Sequence, residues 1–366
     1  MRIIIAVLLC CLIPAWVFAN DSAVETAAGG LQLRNEKRVS IAKERLYIGK
    51  QFIGRDPSNL PHLQYKYRVN VEYEFMNGSS KDVTTEVAFP LPQFSYPGED
   101  LIQDRKVRRF KVEVDGKEQP FETVVRAIAK GRDVTDLLKG YGIEIESFGN
   151  FSEESLGAGQ YQKDLLKKYG IEKKWPGDSN ENSSETGKYQ VERLPKEAQA
   201  RLKAAGALDA ALAPNWSVSI TYHWKQTFPA GKVIRVRHEY DAIPGFSFDS
   251  DLSRYLSTLE EGCFNTELKR GLQAAQKAAP ASNSGGEALV QSEWVKYILT
   301  TAKTWKMPIR DFELVVEAPE GDFVSFCWNG KTEKLSNNRF RATAKDFVPN
   351  RELLIYFFSI MPNAEL

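Results

Sequence analysis

Two stretches of strict alternation constrain the fold of this chain more than any other feature. Tyr65, Tyr67, Val69, Val71, Tyr73 and Phe75 share one parity, and Lys66, Arg68, Asn70, Glu72 and Glu74 the other. That is a strand with one buried and one wet face. Met76-Asn77-Gly78-Ser79-Ser80 supplies turn chemistry, and Val83 to Phe89 runs back until Pro90-Leu91-Pro92 ends it, which predicts a hairpin. Val218, Ile220, Tyr222 and Trp224 alternate in the same way. Phe228-Pro229-Ala230-Gly231 then turns, and Ile234, Val236, His238 and Tyr240 return as a second expected hairpin. Phe110 to Val114 with Asp115-Gly116 reads as a further strand and turn. Strands with one apolar face need a facing layer, so a sandwich is expected.

From about Val124 to Pro214 the composition shifts to Ala, Leu, Lys and Glu. Asp136-Leu137-Leu138-Lys139-Gly140-Tyr141-Gly142-Ile143-Glu144 is echoed by Asp164-Leu165-Leu166-Lys167-Lys168-Tyr169-Gly170-Ile171-Glu172. Each copy predicts a short helix closed by a glycine at C′ and an apolar residue folding back, as does Pro195 to Ala205 ahead of Gly206. Two copies fall short of the three or so that a solenoid needs, so independent helices with shared cap chemistry are expected. Pro176 to Lys188 is polar and reads as a loop. Asn265 to Ala279 predicts a helix and Pro280 to Glu287 a linker. Beyond it, Trp294–Thr300, Phe312–Val316, Phe323–Trp328, Asn338–Thr343 and Leu353–Phe358 read as strands. The expected class is mainly β with an α-helical insertion, α+β overall, built of β-sandwich-like lobes. An N-terminal β-sandwich would take residues 20–123 and 215–248, the helical insertion 124–214, a helix and linker 249–287, and a C-terminal β lobe 288–366.

Residues 1–19 read as a signal peptide: Arg2, an apolar run from Ile3 to Leu12, and Val17-Phe18-Ala19 as a cleavage site. Leu9 stands before Cys10 where a lipoprotein would carry a small residue, so a periplasmic or secreted product without a transmembrane anchor is expected. It would keep Cys263 and Cys327, an even pair in an oxidising compartment, which predicts one disulfide adding about 3–5 kcal/mol. Loss of Arg2 takes 49 basic residues to 48 against 48 acidic ones. A neutral chain has no long-range field to draw in nucleic acid or anionic lipid.

Several ordered blocks are characteristic: Ala19-Asn20-Asp21-Ser22 leading to Gly29-Gly30-Leu31, Lys81-Asp82-Val83 leading to Phe89-Pro90-Leu91-Pro92, Trp224-Lys225-Gln226-Thr227-Phe228-Pro229-Ala230-Gly231, Pro308-Ile309-Arg310-Asp311-Phe312, and Ser325-Phe326-Cys327. Together they resemble the bacterial family known as domain of unknown function 4424. The resemblance implies a Gram-negative envelope protein and brings no catalytic residues with it. The family's helical middle is enlarged here by the Leu165 to Lys188 region.

Signatures of chemistry are sparse. Of three histidines, His223 shares parity with Thr221 and Lys225, whereas His238 falls with Ile234, Val236 and Tyr240, so alternation sets them on opposite faces and away from a shared metal. Ser40-Ile41-Ala42-Lys43 matches a Ser-x-x-Lys nucleophile pattern, but lies in an alternating run, Val39 to Ile48, and lacks its companion motifs. No Gly-x-Ser-x-Gly, His-Glu-x-x-His or phosphate-binding Gly loop occurs. Asp249 and Asp251, with Glu260 and Glu261 downstream, would suit calcium, the one cofactor suggested, or would cap the following helix. Phe94 and Tyr96, in the loop after Pro-Leu-Pro, and Trp175, beside the polar loop, are the candidate binding aromatics. The expectation is an exported, non-enzymatic binding or structural module meeting an envelope protein or glycan. The alternative is a hydrolase acting on envelope glycans or peptides through two acidic residues converging in a cleft.

Overall fold

The computed structural model describes residues 22–27, 30–33, 35–54, 65–95, 109–143, 145–146, 194–259, 262–279 and 287–361. In chain order these form β1 (Ser22–Ala27), β2 (Gly30–Leu33), β3 (Glu36–Phe52), β4 (Tyr65–Asn77), β5 (Val83–Pro90), β6 (Phe94–Ser95), β7 (Lys111–Val114), β8 (Lys117–Glu118), β9 (Glu122–Ala129), β10 (Arg132–Asp133), α1 (Thr135–Gly140) and α2 (Lys196–Ala204). They continue with β11 (Ser217–Phe228), β12 (Val233–Ala242), β13 (Gly245–Asp249), α3 (Leu252–Thr258), α4 (Thr266–Ala278), β14 (Leu289–Tyr297), β15 (Trp305–Lys306), β16 (Ile309–Glu317), β17 (Phe323–Phe326), β18 (Lys331–Ser336), β19 (Arg339–Phe347) and β20 (Leu353–Met361). The fold is mainly β, as the alternation requires.

The described residues divide into two compact units, one drawn from between Arg126 and Val218, the other from those before Arg126 together with those after Val218. In the smaller unit α1 ends as its sequence predicts. Gly142 takes φ +73°, its amide donating to the Lys139 carbonyl at 2.9 Å while Ile143 donates to Leu138 at 3.0 Å. Gly206, at φ +77°, closes α2 with the matching pair, Gly206 to Lys203 and Ala207 to Leu202, each 2.9 Å. Leu138, Leu202 and Trp216 are buried, and the Trp216 indole donates to the Ile145 carbonyl at 3.0 Å. The echo copy at Asp164–Glu172 and the Pro176–Lys188 loop lie outside the described residues.

In the larger unit the alternating strands are present, but neither expected hairpin is. β4 pairs antiparallel with β12, from Met76↔Val233 to Tyr67↔Ala242, and β5 pairs with β11, from Val83↔Phe228 to Pro90↔Thr221. Each turn therefore carries the chain from one sheet to the facing one, as an arch. Alternation determines which side chains point inward, but not whether the next strand lies beside or opposite. Asn77 holds the crossing: its fully buried amide donates to the carbonyls of Lys81 (2.9 Å) and Phe228 (2.8 Å). Its Oδ1 accepts from the Ser79 amide (2.9 Å) and hydroxyl (2.8 Å).

The strands between residues 289 and 361 divide between two sheets. β16 runs parallel to β3, from Phe312↔Glu44 to Glu317↔Gly49, and extends the large sheet to the order β18-β19-β16-β3-β4-β12-β7-β8. Parallel partners need long connections, so a sequence scan for neighbouring turns cannot see this pairing. β15 also joins the large sheet beside β3, whereas β14, β17 and β20 join β13 in a sheet of order β13-β14-β20-β17. Leu252, Tyr255 and Leu256 of α3 and Leu268 and Leu272 of α4 bury against Val290, Tyr356 and Phe358 of this sheet. A disulfide joins Cys263, between the two helices, to Cys327 just beyond β17.

Candidate functional site

One extra residue in β3 creates the polar sites of the larger unit. Ser40 faces Met76 and Ile41 faces Phe75, but Lys43 faces Glu74, so Ala42 is unpaired, a β-bulge. Before the bulge Val39 and Ile41 point inward; after it the inward parity shifts to Glu44, Leu46, Ile48 and Lys50. Two charged side chains thereby enter the interior, while Lys43 and Arg45 turn outward. The bulge also separates Ser40 from Lys43, and the Ser40 hydroxyl meets only the Met76 carbonyl, at 3.4 Å, among the described residues.

Inside, the Lys50 ammonium lies 2.6 Å from a Glu293 carboxylate oxygen and 2.8 Å from one of Asp322, with side chains only 1%, 1% and 8% exposed. It also sits 4.3 Å from the centre of the Tyr65 ring, a cation–π contact. Burial pulls the Lys50 pKa down, but the charges of Glu293 and Asp322 outweigh it and hold it above the ordinary lysine value. Burial pushes the Asp322 carboxyl up, against the pull of Lys50. The Tyr67 phenol is raised by burial and by the nearby Glu293 charge. These upward shifts share a contributor, one negative charge in excess within a dry cluster. Further along β3, buried Glu44 accepts from the Tyr297 hydroxyl at 3.4 Å, which meets the Tyr73 hydroxyl at 2.8 Å.

Outside, residues from five adjacent strands form a row of alternating sign: Glu313, Arg45, Glu72, Arg237 and Glu113. Arg45 lies 4.0 Å from Glu313, and Arg237 lies 4.0 Å from Glu72 and 3.8 Å from Glu113. A second row sets Lys43 and Arg235 on either side of Glu74, with Arg235 at 3.5 Å. The members of the two rows other than Glu313 line a depression of about 400 Å³. Side-chain exposure is 76% for Arg235 and 52% for Arg45, so these are loose, solvated pairs, worth about 0–1 kcal/mol each.

The residues singled out from sequence lie elsewhere. Phe94 is half-buried in β6, paired with β11, whereas Tyr96 and Trp175 lie outside the described residues. Asp249 is bound by both oxygens to the Arg254 guanidinium at 2.9 and 2.8 Å, and this hydrogen-bonded pairing holds its carboxyl below the usual aspartate value. Asp251 caps α3, accepting from the Arg254 amide at 3.0 Å. A cation here would have to displace Arg254; Glu260 and Glu261 lie outside the described residues. His223 meets Glu86 at 2.8 Å, while His238 is fully buried against Phe89, ring centres 4.7 Å apart. Among the described residues no group of three or more His, Cys, Asp or Glu is placed to hold a metal. The buried Lys50 cluster and the charged rows were missed, and the signal that could have revealed both is the break in parity at Ala42.

A family model for a domain of unknown function, DUF4424, matches residues 19–57, 64–186 and 158–356. The chain belongs to the DUF4424 family. Within this DUF4424 chain the last two matches overlap at 158–186, the stretch holding the second Asp-Leu-Leu-Lys copy. No curated protein matches the sequence. A Legionella pneumophila protein provisionally named a nutrient binding protein aligns at 13% identity over 93% of this chain and 70% of its own length, with a TM-score of 0.37. An M1 zinc metallopeptidase from Deinococcus radiodurans aligns at 9% identity over 88% of this chain and 43% of its own, with a TM-score of 0.28. At these values neither alignment bears on activity or ligand. No described helix is long and apolar enough to cross a membrane.

Proposed function

We propose that the protein is an exported binding module of the cell envelope that engages a polar partner through the outward face of β3, β4, β12 and β7. The depression between the two charged rows supports this reading. Its guanidinium and carboxylate groups stand at 3.5–4.0 Å from one another and remain solvated, so exchanging those contacts for a partner's costs little. Alternating signs at strand spacing favour a partner with both charges, such as an extended polypeptide, over a polyanion. Export rests on the N-terminal signal pattern and agrees with a disulfide between Cys263 and Cys327.

A hydrolase would need two carboxylates converging on a reachable substrate. Glu293 and Asp322 do converge, but on Lys50 and at 1% and 8% exposure, which leaves too little open surface for a sugar or peptide to reach both. The test is cross-linking of the tagged protein in its native envelope, with mass spectrometry of what it captures. Arg235→Glu combined with Arg237→Glu should abolish a dominant captured protein while leaving the melting temperature close to wild type. Unchanged capture would refute the assignment to this face.

A further inference from the structure

We infer that a second, chemically different pocket of the larger unit binds a small carboxylate with a single-ring body, independently of the charged face. Between the turn after β17 and the start of β20 lies a cavity of about 200 Å³. That is below the roughly 300 Å³ at which sites for drug-sized molecules begin, and suits one ring with its substituents. Leu299 and Leu353, both buried, Phe347 and Trp328 make it apolar. Trp328 is itself fixed, stacked on Phe312 with ring centres 5.3 Å apart and packed 5.2 Å from Phe347. Gly330 lets the turn close onto this wall: a Cβ there would stand 2.6 Å from Trp328 Nε1 and 2.7 Å from the Thr343 carbonyl oxygen. A rigid aromatic wall is a surface on which a ring packs without ordering cost.

Polar groups also line the pocket. Arg351 is exposed and has no ion-pair partner among the described residues. Glu352 also lines the pocket, but its carboxylate is occupied by the amides of Leu299 (2.6 Å) and Thr300 (3.3 Å) and by the Thr300 hydroxyl. The guanidinium is therefore available for a bidentate carboxylate contact, with Asn329 and Asn350 beside it to bond ring substituents. An apolar wall and an uncommitted arginine lining one pocket favour an anionic group on a compact ring. An aromatic acid and a uronic sugar share this chemistry, and the two are separated by experiment.

The test is saturation-transfer NMR on the full, disulfide-bonded chain with four probes: benzoate, glucuronate, and the neutral benzyl alcohol and glucose. The expected result is saturable binding of at least one acid, about tenfold or more tighter than its neutral counterpart. Arg351→Gln should weaken that acid by about tenfold or more with an unchanged melting temperature, because Arg351 makes no ion pair among the described residues. Asn350→Trp, which fills the mouth from an exposed position, should block binding by a separate route. Selective glucuronate binding would identify a sugar ligand, and selective benzoate binding an aromatic acid. Failure of both acids to saturate, equal binding of the neutral probes, or full binding by Arg351→Gln would overturn the inference.

Discussion

Replacing Asn77 tests whether the chain crosses between sheets as arches. Its side chain is fully buried and uses every hydrogen-bonding valence it has, donating to Lys81 and Phe228 and accepting twice from Ser79. In Asn77→Ala the Phe228 carbonyl loses a buried donor, a cost of about 1–3 kcal/mol, and the more accessible Lys81 carbonyl adds about 0.5–1 kcal/mol. The Ser79 groups, half-exposed, recover water. The sum, about 1.5–4 kcal/mol, is a large part of the roughly 5–15 kcal/mol that holds a domain folded. Asn77→Asp should be worse near neutral pH, since it aims a carboxylate at two carbonyl oxygens, and should improve as the acid protonates. Ser79→Ala is the control, with a loss below about 1 kcal/mol. Urea titration followed by tryptophan fluorescence, with the disulfide intact, measures all three. In a hairpin Asn77 would be a wet turn residue, so a loss under about 0.5 kcal/mol for Asn77→Ala would refute the arches.

Lys50→Met should destabilise by about 3–5 kcal/mol, because it strands Glu293 and Asp322 in a dry interior, whereas Asp322→Asn, which relieves the excess negative charge, should cost far less; chemical denaturation compares them. Since the folded pKa of Lys50 lies above its unfolded value, its stabilisation is complete below about pH 10.4 and fades as pH rises through the folded value. On the alkaline side the stability gap between wild type and Lys50→Met should accordingly persist until strong alkali. Asp322 works the other way, its raised pKa favouring the folded state as pH falls, so mild acid should not open this cluster through Asp322. Converting Cys263 and Cys327 to serine releases a link across 64 residues and should lower stability by about 4 kcal/mol in the chain-entropy account, read from the melting midpoint.

Much of the fold was legible because local chemistry decides it. Gly142 and Gly206 end their helices where the cap pattern says, Asp115-Gly116 turns at φ +48° and +75°, and Asn265 caps α4 through the Leu268 amide at 2.8 Å. Strand partnership was not legible, since Tyr65–Phe75 and Val218–Trp224 announce an apolar face and leave the neighbour open. The interior charges were hidden for a related reason. Lys50 and Glu44 read as surface residues of an alternating strand until Ala42 shifts the parity, and Lys50 is tolerable only because Glu293 and Asp322 arrive from distant sequence. Asp249 and Asp251 show the converse: residues that look like ligands in isolation are used by a helix start and one arginine.

The central claim, that the charged outward face is where a partner docks, is tested most directly by placing a photo-reactive residue on it. Lys111 lies in β7, exposed and next but one to Glu113; Lys269, exposed on α4, is the control. Irradiation in the intact envelope should join one protein to position 111 and not to position 269, and Arg235→Glu with Arg237→Glu should erase that product. Equal products at both positions, or a product at 111 that survives the charge reversal, would contradict it.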